Sequence, residues 1–293
     1  MTARIVGLSA GTLGTPRILL SSALPGLSPH VGYHLSGNGD YVSGAFLPPL
    51  GAWRVGDLTS VDGFKGRVIA GITRQMAQTD GWVIEDLWAP PVGIGGKFLV
   101  RLHDPEWAEA GTQEHHGGAN PVYIVSRWKN PSLYGLRQKR LVEQYPQRGL
   151  AVAFLGEDGC DGRVWLDADR VRVSAPSQPH YEDYLRTIKS IVAHLPEGSR
   201  WLETETERRN GQFFTSVHPL GTCRMAAWPG RAPSDNGGVV DGDGRVFSSV
   251  GAFENLFVAD GSVISCATIV NPSWTITAVA EHIADYISAH VRL

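Results

Sequence analysis

Apolar residues recur at helical spacing in two stretches of the chain. Tyr181, Tyr184, Leu185, Ile188, Ile191, Val192 and Leu195 fall on one helix face, and Ile276, Val279, Ala280, Ile283 and Ile287 form a second stripe running from Pro272. Near the start, Ala3 to Ala10 reads as a short buried strand. Thr15 as N-cap and Pro16 at the first helical position then predict a helix carrying Ile18, Leu19 and Leu20. From about Pro25 to Asn210 the pattern changes to alternating or aromatic runs bounded by glycine and proline. These are Gly39 to Phe46, Lys97 to Leu102, Val122 to Val125, Leu150 to Leu155 and Arg163 to Leu166. Such alternation predicts a largely antiparallel sheet, with the helix at Tyr181 lying across it. After Gly211 the chain returns to strand and turn. The fold class is therefore read as α+β, with a middle module, residues 25–210, between two terminal pieces, 1–24 and 211–293, of another domain.

The 293 residues are 42% hydrophobic and 19% charged, a soluble globular composition with enough chain for one large core or two smaller ones. A net charge of -3 gives no basic stripe, and Arg137 to Arg140 is too short a run to argue for nucleic acid. Cys160, Cys223 and Cys266 are odd in number, far apart and without C-x-x-C spacing. They predict neither a disulfide framework nor a zinc site, and they suit a reducing compartment. Gly7, Gly11, Gly14, Pro16 and Arg17 break the apolar run that a signal peptide would need. No stretch approaches the roughly 18 apolar residues of a membrane span, so a cytoplasmic location is expected. His115 and His116 beside Glu114 lie between glycines, and adjacent histidines point in different directions, so no metal site is expected. Asp241-Gly-Asp-Gly244 reads as a turn without the distal glutamate of a calcium loop.

Three segments near the C-terminus can carry chemistry. His218 is followed by Pro219 and Gly221, which pin the backbone and project the imidazole from an irregular segment. It suits a general base, or a histidine bonding loop carbonyls. Asn271-Pro272-Ser273 opens the last helix with an N-cap residue and a proline at N1, so free N–H groups and the positive dipole end form a place for an anion. A plain capped helix has the same local sequence. Asp260-Gly261-Ser262 follows the apolar Leu256-Phe-Val258, as expected of a strand end facing a polar ligand, or of a capping turn.

The order of these motifs is more specific than any one of them. His218-Pro-Leu-Gly-Thr-Cys-Arg-Met225, Gly238-Val-Val-Asp241 with Gly244-Arg-Val246, Asn255-Leu-Phe-Val-Ala-Asp-Gly-Ser262 and Asn271-Pro-Ser-x-Thr-Ile276 resemble the C-terminal region of the glucose-methanol-choline oxidoreductase family. Gly11-Thr-Leu-Gly-Thr-Pro-Arg-Ile-Leu-Leu20 resembles that family's second signature, with Ala23-Leu24 where Ser-Gly is usual. His34-Leu-Ser-Gly-Asn-Gly-Asp40 and Gly81-Trp-Val-Ile-Glu-Asp-Leu-Trp-Ala-Pro-Pro91 resemble the cholesterol-oxidase-like members.

The resemblance implies FAD as cofactor, with the terminal pieces forming part of an FAD-binding α/β domain and the middle module binding substrate. It places Glu85, His218 and Asn271 around the reacting carbon, with Asn38 and Trp82 in the substrate wall. Asp260, Gly261, Asn271, Pro272 and Gly11 would line the cofactor. The implied reaction is oxidation of the CH–OH group of a bulky, sterol-like hydrophobic alcohol. His218 would take the hydroxyl proton, Asn271 would bond the same oxygen, and the hydride would pass to flavin N5. Glu85, beside Trp82, Ile84 and Trp88, would have its pKa raised by desolvation and move a proton, or it is a strand-edge charge paired with Arg74.

No G-x-G-x-x-G follows a strand in this sequence, although dinucleotide pyrophosphate is ordinarily held by such a turn. The expectation is accordingly a fragment of a full enzyme, a catalytic subunit served by a separate FAD-domain polypeptide, or a non-catalytic remnant that binds a hydrophobic ligand or a partner.

Overall fold

The computed structural model describes residues 3–48, 69, 71–73, 81–87, 99–102, 149–205 and 216–291. Arg74, Trp88, Glu114, His115, His116, the run 137–140 and the strand expected at 122–125 lie outside the described residues. The chain forms two compact units, one of residues 1–40, 156–179 and 216–293, the other of residues 41–155 and 180–215. Residues 25–40 and 156–179, expected in the middle module, thus pack with the terminal pieces.

In the first unit, β1 (Val6–Leu8) pairs in parallel with β11 (Gly251–Val258), which pairs antiparallel with β10 (Arg245–Ser248). A second sheet runs β2 (Tyr33–Leu35), β7 (Gly162–Asp167) and β8 (Arg170–Ser174). Two helices complete the unit, α1 (Gly11–Ser21) and α3 (Ser273–His290). Its core joins Leu19 of α1 to Leu220, Val239, Val246, Val258 and Val263, with Ile276 and Val279 of α3 packed against it. Ile283 of the expected stripe is fully buried. The first strand is only three residues long and largely exposed, not the buried strand expected over Ala3 to Ala10.

The helix start also differs from expectation. α1 begins at Gly11, so Thr15 is not its N-cap and Pro16 lies inside it. A proline there removes the N–H that would bond the Thr12 carbonyl. Thr222 Oγ1 donates to that carbonyl at 2.8 Å, so a partner from far along the chain replaces the missing bond and the helix continues through the proline.

The second unit is a five-stranded sheet in the order β4 (Trp82–Leu87), β6 (Gly149–Gly156), β3 (Tyr41–Phe46), β9 (Arg200–Glu205) and β5 (Leu99–Leu102). Pairing of β3 with β6 and β9, and of β5 with β9, is antiparallel. Helix α2 (Tyr181–Ala193) sets Tyr184 and Ile188 against Tyr41, Trp82, Val152 and Phe154, as its apolar spacing predicts. The architecture is α+β.

Candidate active site

The first unit gathers most of the candidate residues, and the end of β11 supplies its base. Asp260 caps a short 3-10 turn, Gly261–Val263, with Oδ1 accepting the Ser262 N–H at 2.8 Å. Its Oδ2 accepts the Gly11 N–H at 2.9 Å and the Thr15 hydroxyl at 2.6 Å. Asp260 is therefore the capping residue that the sequence left as its second reading, and it also explains the early start of α1. The His218 segment lies along this turn: Gly221 N–H donates to Gly261 O at 3.2 Å and Cys223 N–H to Ser262 O at 2.9 Å. Thr12 Oγ1 donates to Pro219 O at 2.8 Å. Gly221 has φ +77, and a Cβ there would collide with the His34 carbonyl, so only glycine fits this close approach.

A turn over Gly37 to Asp40 carries the groups that hold the His218 and Asn271 segments. Ser36 and Leu220 exchange backbone bonds at 3.0 and 2.9 Å, joining the turn to the His218 segment. Asp158 Oδ2 accepts the Gly37 N–H at 2.6 Å from outside the turn. Asp40, 7% exposed, accepts at Oδ2 the N–H groups of Val217 at 2.7 Å and His218 at 3.0 Å. Both carboxylate oxygens lie 3.0 Å from His218 Nδ1. An ionised carboxylate only accepts, so Nδ1 carries the hydrogen and, in the neutral ring, Nε2 carries the lone pair.

Two residues earlier, Asn38 is fully buried with φ +57. Its Oδ1 accepts from Thr268 N–H at 2.7 Å and Ile269 N–H at 3.2 Å, and its Nδ2 donates to Val270 O at 3.0 Å. The segment that leads directly into Asn271 is thereby fixed. Asn271 is not the N-cap expected from sequence: Pro272 takes that position, with φ -86 and ψ 0 and no side-chain cap, and Ile276 N–H donates to its carbonyl at 2.9 Å. The N–H groups of Ser273, Trp274 and Thr275 precede this first helical bond.

Beside the turn lies a second ionisable cluster that the sequence did not signal. His30, fully buried, faces Asp235 Oδ1 through Nε2 at 2.7 Å and His34 Nε2 through Nδ1 at 3.0 Å. Burial first, then the charges of Arg224 and His30, lowers the His34 pKa to about 4. N–H groups led by that of Arg231 hold the Asp235 carboxyl well below the usual range against the opposing effect of desolvation. Burial pushes the Cys160 thiol up to about 11 and the Cys223 thiol up to about 12, so neither is a ready nucleophile.

Glu85 and Trp82 belong to the second unit, on β4. Glu85 is 1% exposed, so the expected desolvation is present. Side chains alternate along a strand. Trp82 and Ile84 join the aromatic core under α2, with Trp82 5.4 Å from Tyr184 and 5.9 Å from Phe154 between ring centroids, whereas Glu85 shares its parity with Val83.

Asp40 is the residue that sequence reasoning missed. Its signal was an acid closing the Gly-Asn-Gly-Asp turn just before an aromatic strand.

Residues 169–280 match the family model GMC_oxred_C, described as GMC oxidoreductase. GMC oxidoreductases are FAD-dependent oxidoreductases. A cholesterol oxidase of Acinetobacter baumannii is 35% identical over 112 residues, 34% of this chain and 18% of that protein. The 2-methyl-1,2-propanediol dehydrogenase of Mycolicibacterium austroafricanum is 26% identical over 302 residues, 98% of this chain and 48% of that protein. Among solved structures, pyridoxine 4-oxidase from Mesorbium loti shares the fold, with a TM-score of 0.54 at 18% identity over 98% of this chain and 52% of that one. The chain thus spans about half the length, or less, of these relatives. No helix among the described residues is long and apolar enough to cross a membrane.

Proposed function

We propose that this chain supplies the active-site half of an FAD-dependent oxidoreductase acting on the CH–OH group of a bulky hydrophobic, sterol-like alcohol. The observation that carries the reading is the turn at 37–40, which holds the His218 ring through Asp40 and the approach to Asn271 through Asn38. A base and a hydrogen-bonding amide anchored to one rigid turn suit abstraction of a hydroxyl proton at a fixed oxygen.

The residues fit the cofactor in part. At the start of α3, Asn271, Pro272 and the leading N–H groups offer donors and a positive dipole end to an anionic ring edge. Asp260, Gly11 and Gly261 would line the cofactor; Asp260 and Gly11 are bonded to one another, and a Cβ at Gly261 would press on Ile276 Cδ1 at 3.2 Å. When bound, FAD accepts the hydride at N5.

Within this chain His218 takes the hydroxyl proton and Asn271 orients the oxygen. Glu85, desolvated on β4, handles a second proton, while Asn38 supports the wall and Trp82 backs β4. The dinucleotide-binding unit would come from additional sequence or from a separate polypeptide, in a reducing, cytoplasmic setting consistent with three free cysteines.

The test is visible absorption of the purified chain after incubation with FAD and gel filtration, alone and with a family dinucleotide-binding domain in trans. Retained flavin bands that a hydrophobic secondary alcohol bleaches support the proposal. Flavin retained but never bleached, or never retained with the added domain, points instead to a non-catalytic remnant that binds a ligand or partner.

A further inference from the structure

We infer that Asp40 is the positioning residue of the site, selecting the Nδ1–H tautomer of His218 and turning Nε2 to the reacting hydroxyl. The inference rests on the reading of His218 as the base, and its geometry is independent of any cofactor. Both Asp40 oxygens are 3.0 Å from Nδ1, so the single Nδ1–H is shared between them.

The same carboxylate grips the backbone of the loop that carries the ring, through the N–H groups of Val217 and His218. Ser216 Oγ, 3.1 Å from Oδ2 and 2.9 Å from Gly37 O, ties the loop to the same turn. The Asp40 side chain is 5% exposed and the His218 side chain 20%, so the bond is sheltered while the ring keeps an outlet. A carboxylate that accepts from the ring and from the ring's own backbone sets tautomer and aim together. A carboxamide cannot do this equally well, because one of its two positions is a donor.

The cofactor-independent test is the long-range nitrogen–proton NMR spectrum of His218 in the full chain, at mildly alkaline pH where a neutral imidazole dominates. A predominant Nδ1–H pattern in the wild-type chain is expected, shifting toward Nε2–H or a mixture in Asp40→Asn. A wild-type Nε2–H pattern overturns the inference even if the variant fails to fold. A folded variant with an unchanged pattern does so too.

In the flavin-loaded assembly Asp40→Asn should lower kcat by about 10²–10⁴-fold with little change in KM, and Asp40→Glu should recover part of the loss. Failure to take up flavin even with the added dinucleotide-binding domain would undo the proposed function and leave the tautomer result standing. An Nδ1–H tautomer together with full activity of Asp40→Asn would overturn the positioning role alone.

Discussion

Asn38 and Val270 lie 232 positions apart in sequence, yet the Asn38 amide donates to the Val270 carbonyl at 3.0 Å. Its oxygen simultaneously takes the Thr268 N–H at 2.7 Å. The peptide preceding Asn271 is therefore held by a turn near the start of the chain. Removing the amide takes the Asn38 acceptor from the half-buried Thr268 and Ile269 N–H groups and places alanine at φ +57.

Asn38→Ala is expected to cost about 2–4 kcal/mol in urea unfolding. Asn38→Gly, which keeps the bonds broken but accommodates the backbone, should recover roughly 1 kcal/mol of that. An alanine variant within about 0.5 kcal/mol of wild type would show that the clamp contributes nothing.

Asp260 joins two elements, because a single oxygen accepts from Gly11 N–H and Thr15 Oγ1. Asp260→Ala should cost about 2–4 kcal/mol and Thr15→Val about 1–2 kcal/mol. In a double-mutant cycle the two should couple by about 1 kcal/mol or more, since they share one bond. Strict additivity would mean that the contact does not form in solution.

The same pair shows what the sequence could and could not convey. The helical stripes were legible because periodicity is local, and the segments holding His218, Asp260 and Asn271 stood out because their motifs are contiguous. The start of α1 was not legible, since Thr15-Pro16 is a good local start signal and the competing cap, Asp260, arrives from 249 positions away to bond Gly11 N–H. Asp40 and the His30–His34–Asp235 chain were missed for the same reason: each depends on partners that only folding brings together. Glu85 has the expected burial, and parity along β4 sets its side chain on the strand face opposite Trp82 and Ile84.

Pro16 and Thr222 form a second linked pair. Thr222 is fully buried at φ +80, a strained setting for a β-branched residue, and its hydroxyl supplies the bond that Pro16 cannot give to the Thr12 carbonyl. Thr222→Val should therefore cost about 1–3 kcal/mol. Pro16→Ala in that background restores an N–H at the right place and should recover part of the loss, read as a shift in Tm. No recovery would mean that the orphaned carbonyl is not the cause.

His34 gives the stability a defined pH dependence. Its folded-state pKa is lowered from 6.5 to about 4 by burial, then by the charges of Arg224 and His30. Between those values the unfolded chain binds a proton that the folded chain refuses, so stability rises with pH across the window. The contribution is fully present above 6.5 and is lost as pH falls toward 4. Tm should therefore decline on acidification through this range. His34→Gln, whose amide can still donate to His30 Nδ1, should show a shallower decline than wild type. Parallel Tm profiles for the two proteins would assign the acid sensitivity to other groups and leave His34 without a share in it.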